Sequence, residues 1–308
     1  MTNQKRVLVL LSSYNGEKYI EAQIRSILNQ TIAAQIHIRI RDDGSDDRTC
    51  EIIKRLILDY PNKIELNEEE NLGCNAGFFE LLNNAEGYDY YSLSDQDDIW
   101  LSSKLETALA ALEAEDNSIP LLYASTSYLV EDDLVPYGQT RRKERDFSIY
   151  NTAIQNICPG HTQVMNNALL KIIQEEDIDL NRIYVYDSWI VNLAALYGKI
   201  LFNNSSFTYY RQHKHNQLGS GAGKIGQLLV SIKRNGTGDG HKYREQVKYL
   251  VEMNEDILKI LGGYDELNCF LNAKSMKEKI CYILSSKLYR QSKLETFILK
   301  IGILANCI

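Results

Sequence analysis

Val7-Leu8-Val9-Leu10-Leu11 runs straight into Ser12-Ser13-Tyr14-Asn15-Gly16, and Tyr19 then opens a stretch carrying Ile20, Ile24, Ile27 and Leu28. Five consecutive apolar residues read as a fully buried strand, and the spacing of the later isoleucines places them on one face of a helix. The strand, loop and helix pattern recurs. Ile36 to Ile40 alternates apolar and polar residues, Asp42-Asp43-Gly44-Ser45 turns the chain, and Ile52, Ile53, Leu56 and Ile57 form the next buried stripe. A strand at Ile64 to Leu66, a helix with Phe78, Phe79, Leu81 and Leu82, and a strand at Tyr90 to Leu93 continue the series. Such alternation predicts an α/β fold with a mostly parallel sheet flanked by helices on both faces. Ligands of such sheets bind outside the carboxyl ends of the strands, so the loops after Leu11, Ile40 and Leu93 are expected to line one crevice. A further strand is expected at Leu121 to Ala124 and a helix at Ser188 to Leu196. From Gly219 the chain is Gly-rich and then helical, which sets an expected boundary near residue 218.

A chain of 308 residues has room for one catalytic α/β unit and a helical extension. Its net charge of −7 argues against capture of nucleic acid, which draws on clustered Lys and Arg. Cys50, Cys74, Cys158, Cys269, Cys281 and Cys307 form no CxxC pair, so they read as reduced thiols of a cytoplasmic protein and not as a zinc or redox centre. Met1 to Arg6 is short and polar, and no run reaches the roughly 18 apolar residues of a spanning helix; neither a signal peptide nor a membrane crossing is expected.

Two acidic loops carry the chemistry. Ser94-Asp95-Gln96-Asp97-Asp98 places three carboxylates within four positions after a strand. A divalent cation with hard oxygen ligands would relieve their repulsion and could be shared with substrate phosphates. The competing reading is a solvated acidic turn that caps a helix beginning near Trp100. Asp42-Asp43-Gly44-Ser45 offers carboxylates to a base N–H or a ribose hydroxyl, but an ordinary turn uses the same residue types.

The order of motifs goes further than any one of them. Ser13-Tyr14-Asn15-Gly16 with Tyr19 and Ser26-Ile27-Leu28-Asn29-Gln30, then Arg41-Asp42-Asp43-Gly44-Ser45-Asp46-Asp47, then Asn71-Leu72-Gly73 with Asn75, then Asp95-Gln96-Asp97-Asp98, fill the first 105 residues. In this order they resemble the inverting glycosyltransferases of family 2, which have the GT-A fold. The resemblance implies a catalytic domain over residues 1–218, with a nucleotide-sugar half at 1–105 and an acceptor half at 106–218, and a helical extension over 219–308. It implies that Ser13, Tyr14, Asn15, Asp42, Asp43, Asn71, Gly73, Asn75, Asp95 and Gln96 serve the donor. Mn2+ or Mg2+ is expected at Asp95 and Asp97, with Asp98 a third candidate.

In the acceptor half, Pro159-Gly160-His161 resembles the family's acceptor loop, although a small residue more usually follows the glycine. Gly160, His161 and Trp189 are expected on the acceptor side. Asp187, in Tyr186-Asp187-Ser188-Trp189, is implied as the base that deprotonates the acceptor; read without the family, an Asp at a helix start is a routine cap. Tyr210-Arg211-Gln212-His213 resembles the segment that closes the donor site in bacterial rhamnosyltransferase-like members, with Arg211 on phosphate and His213 on metal or diphosphate. Together with Asp-Gln-Asp-Asp, it favours dTDP-rhamnose over a UDP-sugar as donor, and a glycan or lipid-linked saccharide as acceptor in surface polysaccharide synthesis. Two other classes compete. A non-catalytic sugar-nucleotide- or carbohydrate-binding protein would keep the nucleoside loop and lose the base, and a nucleotidyltransferase would need a glycine-rich phosphate loop that residues 11–16 lack.

Residues 274–308 hold seven Lys or Arg against Glu278 and Glu295, with Ile280, Ile283, Leu284, Leu288, Phe297, Ile298 and Ile301 interleaved. Such a basic amphipathic tail suits the inner face of an anionic membrane, and equally suits packing on the catalytic domain or a second subunit.

Overall fold

The computed structural model describes residues 4–212 and 239–305, and it contains the alternation expected of the first hundred residues. The chain forms β1 (Arg6–Ser13), α1 (Ile20–Leu28), β2 (Gln35–Asp42), α2 (Thr49–Asp59), β3 (Ile64–Glu68), α3 (Cys74–Asn83) and β4 (Tyr90–Ser94). These strands lie parallel in the order β3-β2-β1-β4. Val7 to Leu11 has strands on both sides, Ile36 to Ile40 on one and Tyr90 to Ser94 on the other. Successive side chains leave a strand on opposite faces. Leu8 and Leu10 therefore join α3 and later helices in one core, while Val7, Val9 and Leu11 join α1 and α2 in another. A strand with a core on both faces has no polar alternation to show, which is why this run is wholly apolar.

The chain continues as β5 (Ile99–Trp100), α4 (Lys104–Glu113), β6 (Leu121–Val130), β7 (Gly138–Gln139), α5 (Ile149–Thr152), β8 (Val164–Asn166), α6 (Asn167–Glu175), α7 (Tyr186–Tyr197) and β9 (Lys199–Arg211). The sheet extends from β4 through β8, β6 and β9 to β5; β8 and β5 run against their neighbours, β9 runs parallel to β6, and β7 hangs from β6. Strands β5 and β8 are too short to display a period. The β6–β9 register slips between Ser125 and Thr126 and again before Tyr128, opposite the polar Asn203 to Ser206, and the alternation of β9 is lost with it. The helix expected near Trp100 begins instead at Lys104 with Ser103 before it, so the acidic loop does not cap it.

The expected boundary near residue 218 lies outside the described residues. Beyond it come α8 (Asp239–Met253), α9 (Glu255–Ile260), α10 (Tyr264–Asn272), α11 (Met276–Ser285) and α12 (Lys293–Leu304). Leu250, Leu258, Leu267, Phe270, Leu299 and Ile303 belong to the same core as Trp189 and Leu193 of α7. Each such burial contributes about 1.5–3 kcal/mol. The tail is also tied down by polar contacts. Glu295 of α12 pairs with Arg141 at 2.8 Å and accepts from Gln155 at 2.9 Å, and Gln291 takes the backbone N–H groups of Glu144 and Arg145. One face of the tail is thus a packing face on the preceding part of the chain. Among the described residues no helix is long and apolar enough to cross a membrane.

Candidate active site

The carboxyl ends of β1 and β2 finish level, Ser13 opposite Asp42, and their loops are stitched together by side chains. Asp42 accepts from Ser13 Oγ at 2.8 Å and from the backbone N–H and hydroxyl of Ser45 at 2.8 and 2.7 Å. Asn15, at φ 48°, accepts from Asp46 N–H, and its own N–H donates to Ser45 Oγ. Asp43 holds Arg41 and accepts from the N–H groups of Leu72 at 2.8 Å and Gly73 at 2.9 Å. Gly73 sits at φ 82°, where a side chain would be strained, and this bend turns both N–H groups toward one carboxylate. Asp42 and Asp43, one of which is expected to hold the nucleoside, are 1 % and 4 % exposed and brace the loops. Ser13 is likewise buried in that brace, whereas Asn71 and Tyr14 are exposed, Tyr14 by about half.

Gln96 joins the acidic loop to the first loop. Its Oε1 accepts from Tyr14 N–H and its Nε2 donates to Tyr14 C=O, both at 2.9 Å. A β-carbon at Gly16 would collide with this carboxamide and force it to shift.

Behind Gln96 the acids converge with a histidine. Asp95, Asp98 and His161 each offer a ligand atom, all within 4.8 Å of one another, and His161 Nδ1 lies 3.8 Å from Asp95 and 3.7 Å from Asp98. Burial pushes the Asp95 carboxyl up to about 8, helped by the charges of Asp97 and Asp187 and opposed by Lys104. Burial raises Asp98 as well, helped by the charges of Asp97 and Asp95. His161 is driven down to about 3 by burial and by Lys104, so its imidazole is neutral, as a ligand must be. His161 Nε2 shares a hydrogen bond with Ser127 Oγ at 2.8 Å, and its ring lies against Tyr210. Asp98 is wholly buried, with Oδ2 unmatched by any hydrogen-bond partner among the described residues. Two carboxylates, one of them with an orphaned buried oxygen, and a neutral imidazole fit a manganese- or magnesium-class cation.

This trio differs from the expected metal set of Asp95, Asp97 and His213. Asp97 stands beside it and adds to the field on Asp95 and Asp98, while His213 lies outside the described residues. Expected on the acceptor side, His161 falls among the candidate ligands. Arg211, expected on phosphate, is 6 % exposed; its Nε donates to Asp97 C=O at 2.8 Å and its guanidinium lies 4.9 Å from the Tyr19 ring centroid. It fastens the end of β9 to the acidic loop. Sequence reasoning missed Lys104, fully buried over the Trp100 ring, since an apolar stretch with one Lys reads as a helix surface.

Asp187 enters from the other side. The N-cap of α7 is Val185, with no side-chain cap, so the capping reading of Asp187 does not hold. Asp187 Oδ2 accepts instead from Gly160 N–H of the 158–163 loop at 3.0 Å, and its charge is felt at Asp95. A β-carbon on Gly160 would collide with the Tyr186 hydroxyl. Trp189 is corrected: it is wholly buried, stacks on Tyr249 and donates to Glu176, which makes it core and leaves no surface for an acceptor. Asn75 is also diverted, spending its carboxamide on the backbone of residues 183–186.

A mostly parallel sheet with clustered acids and a candidate cation site at the carboxyl ends of its strands is the arrangement of an α/β protein that binds its ligand at that edge. The chain belongs to glycosyl transferase family 2, whose model matches residues 8–171, more than half of its length. It is 28 % identical over 251 residues to a protein of Shigella flexneri described as dTDP-rhamnosyl transferase RfbG, covering 77 % of this chain and 82 % of that one. Among solved structures, Staphylococcus aureus TarS 1-349 in complex with UDP-GlcNAc superposes with a TM-score of 0.53 at 20 % identity, over 91 % of this chain and 79 % of that one. The mannosyltransferase PcManGT of Pyrobaculum calidifontis, in complex with GDP-Man and Mn2+, gives 0.54 at 16 % identity over 100 % and 82 %. At these identities the two structures speak for the GT-A fold alone.

Proposed function

We propose that this glycosyltransferase transfers a sugar, rhamnose from dTDP-rhamnose, with inversion onto a hydroxyl of a glycan or lipid-linked saccharide, and that it needs a divalent metal. The observation that carries the reading is the convergence of Asp95, Asp98 and His161, with Asp187 close enough that its charge raises Asp95. Asp95, Asp98 and His161 would hold the cation, which when bound supplies countercharge for the departing diphosphate. Asp187, oriented by Gly160 N–H, takes the acceptor proton as the acceptor oxygen attacks the anomeric carbon. The bond to the nucleoside diphosphate breaks on the opposite face, and Asp187 later returns its proton to water.

The donor rests on the 28 % identical dTDP-rhamnosyl transferase and on the resemblance of the 210–213 segment, with a UDP-sugar as the second reading. Calorimetric titration of a nucleotide-sugar panel with Mn2+ tests it. Tighter binding of a purine sugar nucleotide than of dTDP-rhamnose would overturn it. Contact with the inner membrane face is proposed through α11 and α12. Their outer surfaces carry Met276, Ile280, Leu284, Leu294, Phe297 and Ile301 in the open, beside exposed Lys274, Lys277, Lys287 and Lys293.

A further inference from the structure

The segment Ile183 to Tyr186 leads into α7 and sets where Asp187 stands. Local sequence gives it little support, because Val185 offers no capping side chain. Its backbone polar groups are met by two carboxamides from distant parts of the chain. Asn75 of α3 donates through Nδ2 to Ile183 C=O and Tyr184 C=O, and accepts at Oδ1 from Tyr186 N–H, all at 3.0 Å. From the other side, Gln246 of α8 accepts at Oε1 from Tyr184 N–H at 2.8 Å and Val185 N–H at 3.0 Å. Gln246 is 1 % exposed. Two turns of packing reinforce the hold: Tyr249, also of α8, stacks on Trp189 of α7 and accepts from Asp179 N–H at 2.7 Å.

An unpaired buried backbone group costs about 1–3 kcal/mol, and in this partly buried segment each of the five bonds, three to N–H groups and two to carbonyls, biases the segment toward one position. Donor half and C-terminal extension thus meet at the peptides that precede the carboxylate.

We infer that Gln246 and Asn75 are positioning residues which clamp residues 183–186 and hold Asp187 in line with the acceptor, so that the C-terminal extension is a working part of the transfer site. The inference rests on the reading of Asp187 as the base. A displacement of about 1 Å in a catalytic group costs on the order of 10²-fold in rate. Gln246→Leu, which keeps the volume and removes the acceptor, lowers kcat by about 10- to 100-fold while donor affinity measured by calorimetry is unchanged. Gln246→Glu keeps an acceptor for both N–H groups and retains most of kcat. A second readout separates positioning from loss of fold. Once the clamp is released, Asp187 loses its fixed contact with Gly160 N–H, and the acid limb of the kcat profile moves to higher pH.

The experiment compares Gln246→Leu, Gln246→Asn, Gln246→Glu and Asp187→Asn by kcat, KM, pH profile and thermal melting. Gln246→Asn shortens the reach by one methylene and carries the same expectation if the Leu variant does not fold. Full kcat with an unmoved pH profile in the folded Leu or Asn variant, beside an inactive Asp187→Asn, overturns the clamp and leaves the base standing. An active Asp187→Asn overturns the base itself.

Discussion

Gly160 N–H donates to Asp187 Oδ2 at 3.0 Å, joining the loop before β8 to the first turn of α7. The bond orients the carboxylate through a peptide donor.

Asp187→Asn preserves this geometry, since a carboxamide oxygen accepts the same bond, and removes only the basicity. The transfer rate is expected to fall by roughly 10²–10⁴-fold, with donor affinity and melting temperature close to wild type. Transfer at near-normal rate with saturating donor and acceptor would send the search for a base elsewhere.

The acids and His161 pull stability in opposite directions, and the windows separate them. His161 falls from 6.5 to about 3 on folding, so its effect raises stability with pH only up to about 6.5. Asp95 rises from 3.8 to about 8, so the folded protein binds the extra proton and stability falls as pH climbs toward 8. Above pH 6.5 only the second trend remains. Metal-free protein is therefore expected to melt lower at pH 8 than at pH 6.5, and Mn2+ to raise the melting point more at pH 8, where Asp95 gives up its proton to the metal at less cost. A Mn2+ shift that is equal at both pH values, or larger at pH 6.5, would remove the trio as the binding site.

Gly16→Ala drives a methyl into the Gln96 carboxamide and breaks its two bonds to the Tyr14 peptide. Donor affinity is expected to drop by up to about 30-fold, because two neutral hydrogen bonds are worth on the order of 1 kcal/mol each. Calorimetry checks it, and Gln96→Ala should match the effect while relieving the collision. Unchanged donor affinity in both variants would separate this junction from the donor.

What the sequence could show was set by distance along the chain. The strand of Val7 to Leu11 and the loops after β1, β2 and β4 were legible, because strand period and turn chemistry are local. Whether a carboxylate faces a crevice or its own scaffold is decided by remote partners. Asp42 meets Ser13, and Asp43 meets Leu72 and Gly73, so both turned inward where a nucleoside contact was expected. His161 reaches Asp95 and Asp98 only because the short β8 beside β4 brings its loop there, and three residues of strand leave no readable pattern. Trp189 showed the reverse: its buried helical spacing was correct, and a place on the acceptor side did not follow from it.

The tail offers the last test, and its packing dictates the design. Deleting residues 274–308 would strip Leu288, Leu299 and Ile303 from the core and break the Arg141–Glu295 pair, so lost membrane binding in that variant would report unfolding as readily as lost contact. The outward residues can be changed without touching the inward face. Leu284 is 80 % exposed, Phe297 61 % and Ile280 45 %, so replacing the three by Ser removes no buried contact of that core. Each apolar side chain entering an interface contributes about 1.5–3 kcal/mol, and basic residues near an anionic surface add about 1 kcal/mol each. Ile280→Ser, Leu284→Ser and Phe297→Ser together should abolish co-sedimentation with phosphatidylglycerol vesicles while melting and donor binding stay unchanged. Phosphatidylcholine vesicles should bind the unaltered protein weakly, because the lysines then have no counterpart. If the triple variant still sediments, or if light scattering shows that it has lost a dimer which the unaltered protein forms, this surface belongs to something other than the bilayer.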